Sequence, residues 1–346
     1  MKNLVSPLLA LIAATPSFSA TSDPTDIIIV TATRTESALA DVSVPVEVIT
    51  RDEIELSLAN DLSELLRFEA GIDIGRNGGP GQSTSVFLRG TESNHTLVLI
   101  DGVRINPGTI GGASIQNIAP EMIERVEIVK GARSALYGTD AIGGVINVIT
   151  RRSQKAYVEA GVGGGSFGTR SSQISLGGKS KDSEFGISVS LSAADGFPTR
   201  TTSDIARGHN NTTINLYGTT NLAGGIVSLR HWEASGLTEY LDFFLSPLDH
   251  DFETSSTSLE FSSSFDKKIE SRIIISQVAD DIAQNQSADF AESSRLSIDW
   301  QLSWSSDHHK VAGGLYYVDE EASVFSFDSG FDVTTATSAL FMHDQW

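Results

Sequence analysis

The chain has 346 residues, 40% of them hydrophobic, with 24 Lys and Arg against 44 Asp and Glu and a formal net charge of -20. Such acidity argues against nucleic acid as a partner, and the absence of cysteine excludes disulfides and thiolate metal sites. No stretch approaches the ~18 consecutive apolar residues of a membrane helix, so a membrane role would require strands.

The first twenty residues read as a secretory signal. Met1-Lys2-Asn3 is a short basic start, residues 4–14 are apolar apart from Ser6 and Pro7, and Ser17-Phe18-Ser19 is a small-x-small pattern. Cleavage is expected after Ser19 or Ala20. Shortly afterwards, Asp26-Ile27-Ile28-Ile29-Val30-Thr31-Ala32 sets four β-branched aliphatics in a row, which favours a strand. Nothing precedes it to pair with, and an unpaired apolar strand is a liability unless a partner edge is supplied.

Residues 33–152 mix helix and strand patterns. Thr50-Arg51-Asp52-Glu53 is a capping box and predicts a short helix. A second helix is expected over 61–68, stopped near Gly71. Strands are expected at 44–49, 85–89, 96–100, 125–129 and 145–150, with glycine at nearly every joint. Together these make a compact α+β unit.

From about residue 157 the pattern becomes alternation without helices. FGISVSLS at 185–192 and LSIDWQLSW at 296–304 are the clearest strands. Weaker copies lie near 157–163, 171–177, 212–219, 225–234, 257–265, 269–278, 310–318 and 336–346, giving about ten. Charge divides the same way: residues 76–155 carry nine Lys and Arg against six Asp and Glu, and residues 156–346 carry eleven against twenty-six. A soluble β-sandwich and a membrane barrel both alternate. The polar face here is Ser, Gly, Asp and Gln, the apolar face ends in Trp300, Trp304, Tyr316 and Tyr317, and strands of ~9 to 11 residues fit a bilayer, which together with the signal favours an outer-membrane barrel facing lipid.

VFLRG at 86–90, LVLIDGVRIN at 97–106, IERVEIVKGARSALYG at 123–138 and TDAIGGVINVIT at 139–150 resemble, in order and spacing, the plug domain of TonB-dependent outer-membrane receptors. RNGGPGQSTS at 76–85 and the TDAIGGVINVIT block are similar to the cobalamin transporters of that family. The resemblance implies an α+β plug (33–152) followed by an antiparallel transmembrane β-barrel (156–346). Against the 22 strands of plugged transporters, ten legible strands are expected to be about the first half of a barrel.

The plug reading gives each marked residue a role. Gly90, Gly102, Gly131, Gly138, Gly143 and Gly144 stand at strand ends and turns where positive φ or close backbone approach is needed, and Asp101 shares a turn with Gly102. Arg89, Arg125, Arg133 and Glu127 are expected as charges on strands, facing either a hydrophilic lumen or one another. The run Asp26, Ile27, Ile28, Ile29, Val30, Thr31, Ala32 resembles the Ton box, which by this resemblance is offered to TonB as an added edge strand. Internal pairing within the plug is the other use open to it.

The resemblance also implies that apical loops 77–84 and 107–112 meet a nutrient ligand such as cobalamin or a siderophore. Gln82, Ser83, Thr84, Ile110 and Gly111 are the first candidates, with Arg76 as the only nearby charge. Cobalamin transporters can hold calcium in early barrel loops. Asp195, Asp204 and Asp242 are the weak candidates here, because Thr, Arg, His and Asn occupy much of 196–211.

Enzyme signatures are missing: there is no GxSxG, HExxH, Walker A or CxxC, and GVGGGSFG at 161–168 lacks the phosphate-binding spacing. His308-His309 and His250-Asp251 are adjacent pairs, which a strand points to opposite faces, so a turn or rim position suits them better than a metal site. The expected activity is TonB-powered uptake of a scarce, bulky, cobalamin-like nutrient. A ferric siderophore receptor is the alternative, and a non-transporting adhesin or structural barrel is the alternative of a different class.

Overall fold

A computed structural model describes residues 28–29, 34–35, 37–152, 155–266, 268–306 and 308–346. The expected signal segment and Asp26, Ile27, Val30, Thr31 and Ala32 of the isoleucine run lie outside the described residues. Two residues of that run are described: β1 (Ile28–Ile29) pairs antiparallel with β2 (Ser37–Ala38), Ile28 opposite Ala38 and Ile29 opposite Ser37.

The α+β unit continues with β3 (Val46–Ile49), α1 (Arg51–Ser57), α2 (Leu62–Leu66), β4 (Ile72–Arg76), β5 (Thr84–Leu88), β6 (Thr96–Ile100), β7 (Val103–Arg104), β8 (Ile123–Lys130), α3 (Ser134–Tyr137) and β9 (Gly144–Thr150). Helix α1 begins at the capping box: Thr50 N donates to Glu53 Oε2 at 2.8 Å and Glu53 N to Thr50 Oγ1 at 3.4 Å. Helix α2 is shorter than its sequence pattern suggests. The Asp61 side chain caps it by accepting from Glu64 N at 3.1 Å, and Leu62, Leu65 and Leu66 are buried.

A five-stranded sheet runs in the order β3-β8-β9-β6-β7, with β6 and β9 parallel and the other pairs antiparallel. All five residues of β6 are buried, which is why TLVLI reads as an unbroken apolar run: both faces are covered. Gly144 starts β9 at φ 152°, where an added Cβ would lie 2.2 Å from the Val129 carbonyl oxygen, so no side chain fits. Strand β4 was not expected. Its alternation covers only Ile72 and Ile74 before the glycine-rich turn, and pairing with β5 makes it a strand.

The wall is a ten-stranded meander: β10 (Tyr157–Gly164), β11 (Arg170–Lys179), β12 (Ser183–Pro198), β13 (Ala206–Leu222), β14 (Gly225–Leu241), β15 (Pro247–Asp266), β16 (Ile269–Gln284), β17 (Phe290–Ser305), β18 (Lys310–Ser326) and β19 (Ser329–Gln345). Each pairs antiparallel with the next, and among the described residues β10 and β19 do not pair with each other. All ten expected strands are present, but β12 to β19 run 16 to 20 residues instead of 9 to 11. The extensions differ in character: the Arg207-Gly208-His209-Asn210-Asn211 stretch of β13 is polar, whereas others keep apolar residues, such as Phe252 of β15 and the stacked Phe290 and Phe325 of β17 and β18. They continue above the ~25 Å apolar band, where alternation of hydropathy is no longer demanded.

Alternation in β17 is strict. Ser293, Arg295, Ser297 and Gln301 are buried on the inner face, while Leu296, Ile298, Trp300, Leu302 and Trp304 are exposed on the outer one. The apolar face does not carry both tyrosines of β18: Tyr317 is exposed with Leu315, whereas Tyr316 shares the inner face with buried Ala312, because adjacent strand residues point oppositely. The α+β unit packs on the inner face, and its core of Ile105, Ile115, Ile118 and Met122 is continuous with Trp232 and Phe252 of the wall.

Candidate functional site

Both candidate loops lie at one end of the wall. The β4–β5 turn rests on the C-terminal end of β12 and the adjoining ends of β13 and β14. A Cβ at Gly79 would lie 3.5 Å from the Phe197 ring, and one at Gly81 would lie 2.7 Å from His209 Cβ. Thr238 Oγ1 donates to the Gly81 carbonyl at 3.2 Å, and Gln82 Nε2 donates to the Glu239 carbonyl. Loop 107–112 leans elsewhere, with Gly108 against the Glu320 carboxylate and Gly111 against Asn94.

The five ligand candidates therefore separate. Ser83 and Ile110 are exposed, Ile110 by 66%, and Gly111 is half-buried. Gln82 and Thr84 are buried and committed, Gln82 to the wall and Thr84 Oγ1 to the Gln82 carbonyl at 2.8 Å. Arg76 is not an apical charge. Its Nη2 lies 2.6 Å from Asp61 Oδ2, its Nη1 3.6 Å from Glu64, and its Nε donates to Thr84 Oγ1 at 3.3 Å. Phe197, His209, Glu239 and Glu320 complete this end from the wall. Nothing in the sequence marks them, because their relevance comes from which strand ends the loops meet.

Arg34 belongs to the opposite end. Arg34, five residues after Ile29, pairs with Asp299 in the second half of β17 and donates to the Leu136 carbonyl at 3.2 Å. Its guanidinium lies 4.9 Å from the Tyr137 ring centre and 4.4 Å from that of Phe341. Its own carbonyl accepts from Gln301 Nε2 at 2.9 Å. Arg34 is thus fastened to both the α+β unit and the wall.

Between the two ends lie the residues assigned to plug architecture. Arg125 Nη2 donates to Glu127 Oε1 at 2.7 Å, an ion pair within β8 on which Glu127 is fully buried. Arg89 and Arg133 are not strand charges, contrary to expectation. Arg89 follows β5 and is exposed, and Arg133 precedes α3, its guanidinium lowered in pKa by burial. Gly90, Gly102, Gly131 and Gly138 have positive φ, and Gly143 abuts Thr91 Oγ1. Asp101 accepts from Thr150 N at 3.2 Å and Thr150 Oγ1 at 2.6 Å, with Arg152 at 3.6 Å. Burial pushes its carboxyl up, but Arg230, Arg152 and Thr150 outweigh that and hold it below the usual range.

No group of three or more His, Cys, Asp or Glu side chains is arranged to hold a metal among the described residues. Asp195 lies beside Gly168, Asp204 sits between β12 and β13, and Asp242 Oδ1 closes its own turn by accepting from Ser246 N at 2.7 Å. These three are not brought together.

Residues 38–145 match the family model of the TonB-dependent receptor plug domain. A relative described as vitamin B12 transporter BtuB, from Photobacterium profundum, is 41% identical over 185 residues, which is 53% of this chain and 30% of that protein. Among solved structures, the ferric-catecholate import receptor Fiu of E. coli K12 aligns at TM-score 0.72 and 14% identity, over 89% of this chain and 57% of its own. A ferric enterobactin receptor mutant, PfeA of Pseudomonas aeruginosa, aligns at 0.70 and 15%, over 92% and 56%. At such identities the structures show a shared fold. This chain spans little more than half their length.

Proposed function

We propose that this chain, a TonB-dependent receptor of the bacterial outer membrane by its plug domain and barrel wall, takes up a cobalamin-like nutrient with energy delivered through TonB. Its work is binding and transport. The ligand seats at the apical end, where Ser83 and Ile110 are exposed, and TonB engages the isoleucine run at the opposite end.

One observation carries the choice of ligand. The apical plug loops present no free cation, since Arg76 is turned inward onto Asp61, and the wall segment 156–346 carries eleven Lys and Arg against twenty-six Asp and Glu. A ferric catecholate complex is an anion and would meet an excess of like charge there. A large, mostly neutral ligand held by shape and amide or hydroxyl contacts suits this surface. The relative described as a vitamin B12 transporter supports the same choice.

Accumulation of labelled cyanocobalamin by cells that lack another cobalamin receptor tests it. Saturable uptake that disappears without TonB is expected, with no competition from ferric enterobactin. Iron uptake from ferric enterobactin without cobalamin uptake would replace this reading by the siderophore one.

A further inference from the structure

Asn106 has no exposed surface and makes three side-chain hydrogen bonds. Its Oδ1 accepts from Val98 N at 2.8 Å, and its Nδ2 donates to the carbonyls of Thr96 at 3.0 Å and Gly111 at 2.8 Å. One side chain thus closes loop 107–112 onto β6, and Gly111 N returns a bond to the Pro107 carbonyl at 3.1 Å. This leaves the Asn106 main-chain carbonyl pointing at the wall.

That carbonyl is met by Arg295 of β17, which is 4% exposed. Arg295 Nη2 donates to it at 2.7 Å, Nη1 reaches the Arg104 carbonyl at 3.4 Å, and the guanidinium pairs with Glu320 of β18. The Glu320 carboxylate in turn fills the space where a side chain at Gly108 would stand, with its Cδ 2.8 Å from that Cβ position. Two wall residues therefore hold the loop at consecutive points, and Ile110 projects beyond them.

We propose that Arg295, aligned by Glu320, is a positioning residue for ligand recognition: it fixes loop 107–112 so that Ile110 is presented in one shape. A buried guanidinium bonded to main-chain carbonyls is directional, and it gives up little freedom that has not already been lost. A loop held this way binds without a further ordering cost. The proposal rests on the apical loops being the ligand-facing ones, as argued above. Arg295 itself lies beneath the loop and touches no ligand.

The test is paired measurement in outer membranes carrying the full chain: amide hydrogen exchange over residues 108–112 without ligand, and equilibrium binding of cyanocobalamin. Arg295→Ala should raise exchange over 108–112 by about tenfold and weaken binding by about tenfold at unchanged capacity. Exchange over β8 should stay as in the parent. Arg295→Lys should recover part of both effects, since it keeps the charge toward Glu320 and loses the fork. If Arg295→Ala fails to assemble, Glu320→Gln keeps the shape, removes the pair, and should raise exchange over 108–112 severalfold. Unchanged exchange there in the assembled variants, or an equal rise throughout the α+β unit, overturns the proposal. Faster loop exchange in a protein whose parent does not bind cyanocobalamin supports the positioning role and refutes the choice of ligand.

Discussion

Arg34 and Asp299 form an ion pair across 265 positions of the chain, joining the segment that follows β1 to the inner face of β17. Both side chains are mostly buried, and Tyr137 and Phe341 present ring faces to the same guanidinium. Asp299→Asn keeps the shape and removes the charge. Losing a desolvated pair of this kind is worth about 1.4 kcal/mol, or tenfold in an equilibrium. Backbone exchange at β1 should therefore accelerate about tenfold, with exchange in β6 and β9 unchanged. An unchanged β1 would mean that the pairing with β2 holds the segment by itself.

Ile28→Pro in the full receptor should abolish accumulation of ligand and leave surface binding intact. Proline removes a backbone donor and restricts the preceding residue, so neither β2 nor an incoming partner strand can pair normally there. Ile28→Ala keeps the donor and should be much milder. Comparing ligand bound at the cell surface with ligand accumulated inside checks this. Loss of surface binding in the proline variant would make β1 a structural strand alone.

Glu69 and Glu47 share a hydrogen bond beside Lys130. That bond, with Lys130, holds Glu47 below its ordinary value, whereas burial and then Glu47 push Glu69 up to about 7. A carboxyl raised in the folded state adds stability that is full below about pH 4.5 and is lost as pH rises through 7, because the folded chain binds the extra proton. The plug should resist denaturant better at pH 5 than at pH 8. Glu69→Gln should flatten that difference, and a pH profile unchanged by it would assign the effect to another group.

Both carboxylate oxygens of Asp249 are bonded to side-chain amides. Its two carboxylate oxygens accept from Asn285 Nδ2 at 2.6 Å and Gln286 Nε2 at 2.8 Å, while its N–H donates to Gln286 Oε1 at 2.9 Å. These bonds tie the β16–β17 loop to the start of β15. Calorimetric titration of the purified protein should show calcium binding no tighter than about 1 mM. Asn285→Ala should loosen the loop with or without calcium, and submillimolar calcium binding would sink this account.

The ten wall strands and the capped helix were legible because each depends on local rules: period-two alternation under a bilayer, and a Thr-x-x-Glu box. The ends of the wall strands were not legible, since beyond the apolar band residues such as His209 and Asn210, though paired in register with Thr238 and Leu237, show no alternation of hydropathy. The LVLIDGVRIN and TDAIGGVINVIT segments located the plug, because glycine is required where Gly144 meets Val129. The site was decided by tertiary structure. The sequence could name Gln82 and Ile110 as loop residues, yet only packing turned Gln82 to the wall and left Ile110 exposed. Likewise Arg76, Arg34 and Arg295 are equivalent cations on paper. Each takes its role from the carboxylate it meets: Arg76 from Asp61 within the plug, Arg295 from Glu320 directly opposite it on the next wall strand, and Arg34 from Asp299 on the wall, where contact depends on how the plug sits against it.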